Sequence, residues 1–216
     1  MKKVFSLITF LISCGVSHAD SPLTATEFYK AYSEDPTIQL ALNSRGKITP
    51  TLMQYLANDT NPLDIKLAII NALGWSNNGT KKSDAYMKYI LKKKKLRNRQ
   101  NRPSIIFEWN ASADELICFA YLRAMENYFD VIYASKISCI AENKKLDSYA
   151  VAIISCLIRA QGLFLLNEYC YAVNNVKAIN INPNLKIDLK NEGIKIINQY
   201  IYSLGNDCQS INNSKN

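Results

Sequence analysis

Five helix-opening signatures punctuate the chain between residues 24 and 115, and they constrain its fold more than any other feature. Thr24-Ala25-Thr26-Glu27 and Ser112-Ala113-Asp114-Glu115 read as capping boxes, in which a hydroxyl and a glutamate three residues on satisfy each other's backbone amides. Asp35-Pro36, Thr49-Pro50 and Asn61-Pro62 each set an N-cap acceptor before a proline, whose fixed φ suits the first helical position. Apolar residues then recur at helical spacing: Leu52, Tyr55 and Leu56 share a face, as do Leu63, Leu67 and Ile70, and Gly74 suits a helix end. The same spacing predicts later helices over about residues 113–128, 131–143, 147–161, 163–178 and 185–204. Period-two alternation is scarce, and seven Gly and six Pro in 216 residues leave little material for the turns of a β-sandwich or barrel. The fold class predicted is all-α.

Leu67-Ala68-Ile69-Ile70-Asn71-Ala72-Leu73 and Val151-Ala152-Ile153-Ile154-Ser155-Cys156-Leu157 look alike, and Ile117-Cys118-Phe119-Ala120-Tyr121-Leu122 between them has the same texture. The intervals, 50 and 34 residues, average 42, within the range of HEAT-type helical hairpins. Two architectures fit, an irregular helical bundle or a short HEAT-like stack of α-hairpins, in one domain over residues 20–216.

Lys2 and Lys3 precede the apolar run Val4–Ile12, and Ser17-His18-Ala19 supplies a small-residue cleavage site, so residues 1–19 read as a secretory signal peptide. The run is too short to span a membrane. Leu11-Ile12-Ser13-Cys14 also resembles a lipobox, which makes a lipoprotein anchored through Cys14 the alternative to a free periplasmic or secreted protein. Either way His18 is the sole histidine of the chain. Its loss with the signal leaves no imidazole for a Ser-His-Asp triad, a proton shuttle or a typical catalytic zinc site. The chain is expected not to be an enzyme and to need no metal or other cofactor.

Charge is concentrated in one place. Residues 81–102 carry ten basic side chains against Asp84 alone, a local net charge of +9. Without residues 1–19 the chain carries +6, so everything outside this segment sums to −3. Tyr86, Tyr89 and Ile90 trace a helical face, but the four consecutive lysines spread charge around the helix and predict that it leaves the core near Leu91. Lys92, Lys93, Lys94, Lys95, Arg97, Arg99 and Arg102 are read as a docking surface for a protein partner of acidic character, with an anionic envelope polymer or lipid headgroups as the alternatives and Trp109 as an apolar anchor. Without a docking role, the same run is a solvated helix end and loop, and Phe107 and Trp109 tuck it back onto the core. Nucleic acid is not expected, because export removes the chain from it and no recognition motif accompanies the run.

Five cysteines follow the signal, an odd number, with no CxxC pair. In an antiparallel hairpin, residues equally far from the turn lie side by side. The 118/139 midpoint falls beside Phe129 and the 156/170 midpoint beside Gly162, which favours bridges Cys118–Cys139 and Cys156–Cys170. The 139/156 midpoint at Asp147 also fits, Cys208 is left free or as an alternative partner, and buried reduced cysteines within helices are the alternative to bridges. Glu108, Asp114, Glu115 and Glu126 are the carboxylates to weigh for a glycan hydrolase, although Asp114 and Glu115 look like first-turn capping acids.

With an export signal, helices throughout and paired cysteines in a chain of this size, the sequence resembles the small exported, all-helical, disulfide-containing immunity proteins of type VI secretion amidase toxins. The resemblance implies a periplasmic inhibitor that binds a protein toxin acting on the cell envelope. A helical scaffold of an envelope assembly is the alternative, and a carboxylate-dependent glycan hydrolase a further one.

Overall fold

The structure, a computed structural model, describes residues 21–75, 81–96, 102–127, 129–205 and 208. Residues 1–20, which include the expected signal peptide with Cys14 and Ala19, lie outside the described residues, as do Arg97 and Arg99. Among the described residues the chain is all-α, with ten helices: α1 (Pro36–Asn43), α2 (Pro50–Leu56), α3 (Leu63–Leu73), α4 (Lys82–Lys93), α5 (Pro103–Asn110), α6 (Ala113–Glu126), α7 (Ile132–Lys144), α8 (Tyr149–Leu165), α9 (Tyr169–Asn180) and α10 (Asn191–Ser203). Extended pairing among these residues amounts to an isolated bridge between Ser148 and Lys186.

Three of the five helix starts form as their residues dictate. Asp35 accepts from the Thr37 amide at 2.7 Å, Thr49 from the Leu52 amide at 3.3 Å, and Ser112 with Glu115 closes a complete capping box. Two do not. Asn61 donates its amide to the Tyr55 carbonyl instead, leaving Pro62 as an N-cap without a side-chain acceptor. The Thr24–Glu27 box gives way to a 3-10 turn over Phe28–Tyr32, because Thr26 donates its hydroxyl back to the Pro22 carbonyl and Glu27 pairs with Lys30.

Burial sorts the middle helices into two layers. Eight of eleven residues are buried in α3, eleven of fourteen in α6 and twelve of seventeen in α8, so these helices are enclosed on nearly all sides. Their partners are half-wet: six of twelve residues are buried in α4, four of thirteen in α7 and three of twelve in α9. The inner helix α6 packs against both α3 and α8, and α7 and α9 lie antiparallel to α6 and α8. The starts of α3, α6 and α8 line one cleft, so the inner helices run the same way. The three look-alike segments fall one each on α3, α6 and α8. Their unequal spacing has a physical cause, since α5 and the basic segment are inserted between the first hairpin and the second. Side-chain bonds tie the rows together. Asn71 of α3 donates to the Tyr121 hydroxyl of α6 at 2.9 Å and accepts from the Tyr29 amide, while Ser155 of α8 bonds Ser138 of α7 at 2.8 Å.

The cysteine pairing differs from both favoured bridges. Cys170 is joined to Cys208, with Cα atoms 5.4 Å apart, and Cys118, Cys139 and Cys156 are free thiols. The α6–α7 turn does lie where the Cys118–Cys139 pairing needs it, but the faces are wrong. Cys118 is fully buried on the side of α6 that faces Tyr86 of α4, whereas Cys139 lies 3.7 Å from the Arg159 guanidinium of α8. The Cys156–Cys170 pairing fails on register. Helix α8 continues through Gly162 to Leu165, which places Cys170 just after the turn and Cys156 more than two turns before it. Gly162 is a packing residue and not a helix end, for a Cβ there would meet the Val131 side chain at 3.4 Å.

Candidate docking face of α4 and α5

The four-lysine run does not form one exposed patch; it divides. Lys93, itself exposed, bends over the α2–α3 loop and donates to the Ala57 carbonyl at 2.6 Å and to Asp59 at 3.0 Å. Lys94 donates to the Asn110 carbonyl at 3.0 Å and to Glu115 Oε2 at 2.5 Å, where the carboxylate is only 3% exposed. Lys88 and Lys92 are exposed on the other side of the helix, and Lys95 is exposed just beyond its end. At 100° per residue, Lys88 and Lys92 stand within about 40° of each other, and Lys93 and Lys94 continue the buried stripes of Tyr86 and Ile90 and of Met87 and Leu91. That continuation is a property of the sequence, and the helical period alone separates inward from outward lysines. Lys88, not among the docking residues named above, belongs to the outward row, and its place four residues before Lys92 is the signal for it.

A backbone device ends the helix inside the run. Lys95 adopts a left-handed conformation with φ 55°, the Leu96 amide donates to the Leu91 carbonyl at 2.9 Å, and the Lys95 amide donates to the Lys92 carbonyl at 3.0 Å. These are the two bonds of a Schellman motif, with a lysine at the position that glycine fills best.

Helix α5 lies alongside. Phe107 is buried against Phe119, with ring centroids 5.2 Å apart, and so follows the reading in which it returns the segment to the core. Trp109 does the opposite and is 81% exposed, with Ile105 one turn earlier at 43%. The end of α5 is clamped from both sides, by Lys94 on the Asn110 carbonyl and by Lys144 on the Ala111 carbonyl at 2.8 Å. These cations satisfy carbonyls that a helix end leaves open, and they fix the backbone that carries Trp109. Arg102, exposed, precedes Pro103 at the start of the same helix.

Each of the candidate acids is committed to the fold. Glu108 accepts from the Tyr133 hydroxyl at 3.0 Å and from Lys136 at 3.1 Å, and Asp114 pairs with Lys145 at 3.0 Å. Glu115 closes the α6 capping box and binds Lys94. Glu126 accepts from the Ser83 amide and hydroxyl, both at 2.6 Å, and thereby caps α4; burial pushes its carboxyl above the ordinary glutamate range, while the Ser83 bonds pull it back. Two adjoining clefts, of about 650 and 410 Å3, share Asp114 and Lys145, so their common wall is an ion pair. Burial pushes the Cys118 thiol up to about 12 and the Cys156 thiol up to about 11, so both stay protonated at neutral pH and are poor nucleophiles. Among the described residues no group of three or more His, Cys, Asp or Glu is placed to hold a metal ion, and no helix is long and apolar enough to cross a membrane.

Compared with protein-family models, curated proteins and solved structures, the chain matches none.

Proposed function

We propose that this chain is an exported helical binding protein of the inhibitor type, an immunity protein that neutralises a toxin acting on the bacterial envelope. One observation carries the binding role: α4 holds exposed lysines, Lys88 and Lys92, and the next helix carries an 81%-exposed tryptophan on a clamped end. An exposed Trp costs solubility and contributes nothing to this fold, whereas buried in a partner it is the residue type that most often dominates an interface. The lysines supply the charge that speeds encounter with an acidic surface. Export rests on the basic, apolar and small-residue layout of residues 1–19.

The test is purification of the native chain from its own envelope fraction, with intact mass and partner identification by mass spectrometry. The expected result is a chain beginning at Asp20 in a stoichiometric complex with one protein whose envelope-damaging activity it suppresses. A lipid adduct on Cys14 would transfer the localisation to the anchored form. A full-length chain in the cytoplasm with no protein partner would overturn the proposal.

A further inference from the structure

We infer that the cleft of about 650 Å3 at the starts of α3, α6 and α8 takes an extended, basic peptide segment of a partner protein, which adds as a strand along the open backbone of Ile187. This rests on the binding role proposed above and adds a second contact, one that uses no residue of α4 or α5. Residues 186–190, in the loop before α10, form one wall of the cleft, and four of the five are held. The Lys186 amide donates to the Asp147 carbonyl at 2.6 Å and its carbonyl accepts from the Tyr149 amide at 3.0 Å, a parallel bridge onto the start of α8. Asp188 accepts from the Ser148 hydroxyl at 2.6 Å and the Ala150 amide at 2.7 Å, Leu189 is buried, and the Lys190 amide donates to the Tyr32 hydroxyl at 2.9 Å. Ile187, in the middle, is the exception. Among the described residues neither its amide nor its carbonyl has a hydrogen-bond partner, and its side chain is 55% exposed. The chain passes through Ile187 and Asp188 without a turn or bend, so its backbone groups alternate in direction as in a strand. Those of Lys186 face α8, and those of Ile187 face away from it.

Chemistry selects the occupant. An amide and a carbonyl open on the same residue are a template for a strand, and the group that answers both at that spacing is another peptide backbone. A simple ion answers only one of them. Because the residues on either side are already pinned, adding a strand here orders no part of the loop. The charges of the cleft then set a side chain. Asp114 is paired with Lys145, Asp188 is spent on the start of α8, and Lys190 donates to the Ala31 carbonyl at 3.3 Å. Asp64, Asp147 and Lys186 remain for a ligand, two carboxylates to one ammonium, so the segment carries a lysine or an arginine.

The experiment places a photo-crosslinking residue at Ile187, at Trp109, or at Leu166 in the exposed α8–α9 turn, in the full-length chain expressed in its own cells. A protein adduct is expected from 187 and none from 166, and the partner segment mapped at 187 is then made as a synthetic peptide and titrated against the purified chain. Ile187→Pro, which removes the open amide, should weaken that peptide by about tenfold, and Ile187→Ala, which keeps it, by less than about threefold. Neither change removes a hydrogen bond of the fold, so both variants should melt with the wild type. N-methylation along the peptide repeats the test with the protein unchanged: one position, facing the Ile187 carbonyl, should cost about tenfold. Asp147→Asn should weaken binding at low salt and not at high salt. Equal losses from Ile187→Pro and Ile187→Ala, or a peptide that tolerates N-methylation throughout, reject strand addition. A mapped segment without lysine or arginine rejects the basic occupant. Protein adducts from 109 or 166 with none from 187 reject the cleft and keep the binding role; no adduct from any position, with no partner recovered, rejects both.

Discussion

The two sides of α4 carry the same residue type to opposite ends. On the inner side, Lys93 and Lys94 are spent on carbonyls and carboxylates of the α2–α3 loop, α5 and α6. On the outer side, Lys88 and Lys92 face solvent, as does Lys95 just past the helix end. A charge run read as a block is thus half structural and half available, and the helical period decides which half a residue joins.

The comparison is most strongly tested by removing an inner lysine. Lys94→Met leaves Glu115, 3% exposed and with Oε1 unbonded, holding its charge on the Ser112 amide alone. Breaking a fully buried pair costs about 3–5 kcal/mol; with the Lys94 side chain 27% exposed, about 2–3 kcal/mol is expected, read as a shift in the denaturation midpoint. At the other end of the helix, Glu126→Gln should cost about 1 kcal/mol under acid conditions by weakening the Ser83 cap. Because burial raises the Glu126 carboxyl, the folded wild type holds its proton to higher pH than the unfolded chain does. Wild-type stability therefore falls, relative to the variant, as pH rises through and above the ordinary glutamate range, and the cost of the substitution should shrink from about pH 4 to pH 7. Unfolding of both proteins across that range checks the sign.

Smaller effects sharpen the outer side. Lys95→Gly removes the strain of a left-handed lysine and should stabilise by about 0.5–1 kcal/mol in thermal melts. Lys88→Gln with Lys92→Gln should change stability by less than about 0.5 kcal/mol, since neither side chain has a bonding role in the fold. Replacing Lys92, Lys93, Lys94 and Lys95 together would mix the two sides and erase the distinction being tested.

Much of the fold could be read from sequence because its causes are local. The Ser112–Glu115 box, the Asp35 and Thr49 caps and the three look-alike inner helices depend on residues within a turn or two of one another. What failed depends on which way a side chain points across an interface. The turn between α6 and α7 was legible, but not that Cys118 faces α4 and Cys139 faces α8. Gly162 reads equally as a break or as a close contact until Val131 is placed beside it. Phe107 and Trp109, two residues apart, were equal candidates for core and surface until Phe119 claimed the first. The docking face was half legible: its charge stands out, while Asp59 and Glu115, the acids that withdraw two lysines from it, come from distant parts of the chain.

The division of the lysine run is tested most directly by amine-reactive footprinting of the folded wild-type protein, with modification quantified at each lysine by peptide mass spectrometry. Lys88, Lys92 and Lys95 should label early, and Lys94, bonded to Glu115 and to the Asn110 carbonyl, should label last of the run and catch up only on unfolding. Equal labelling of Lys92 and Lys94 in the folded protein would contradict the two-sided helix on which the docking face depends.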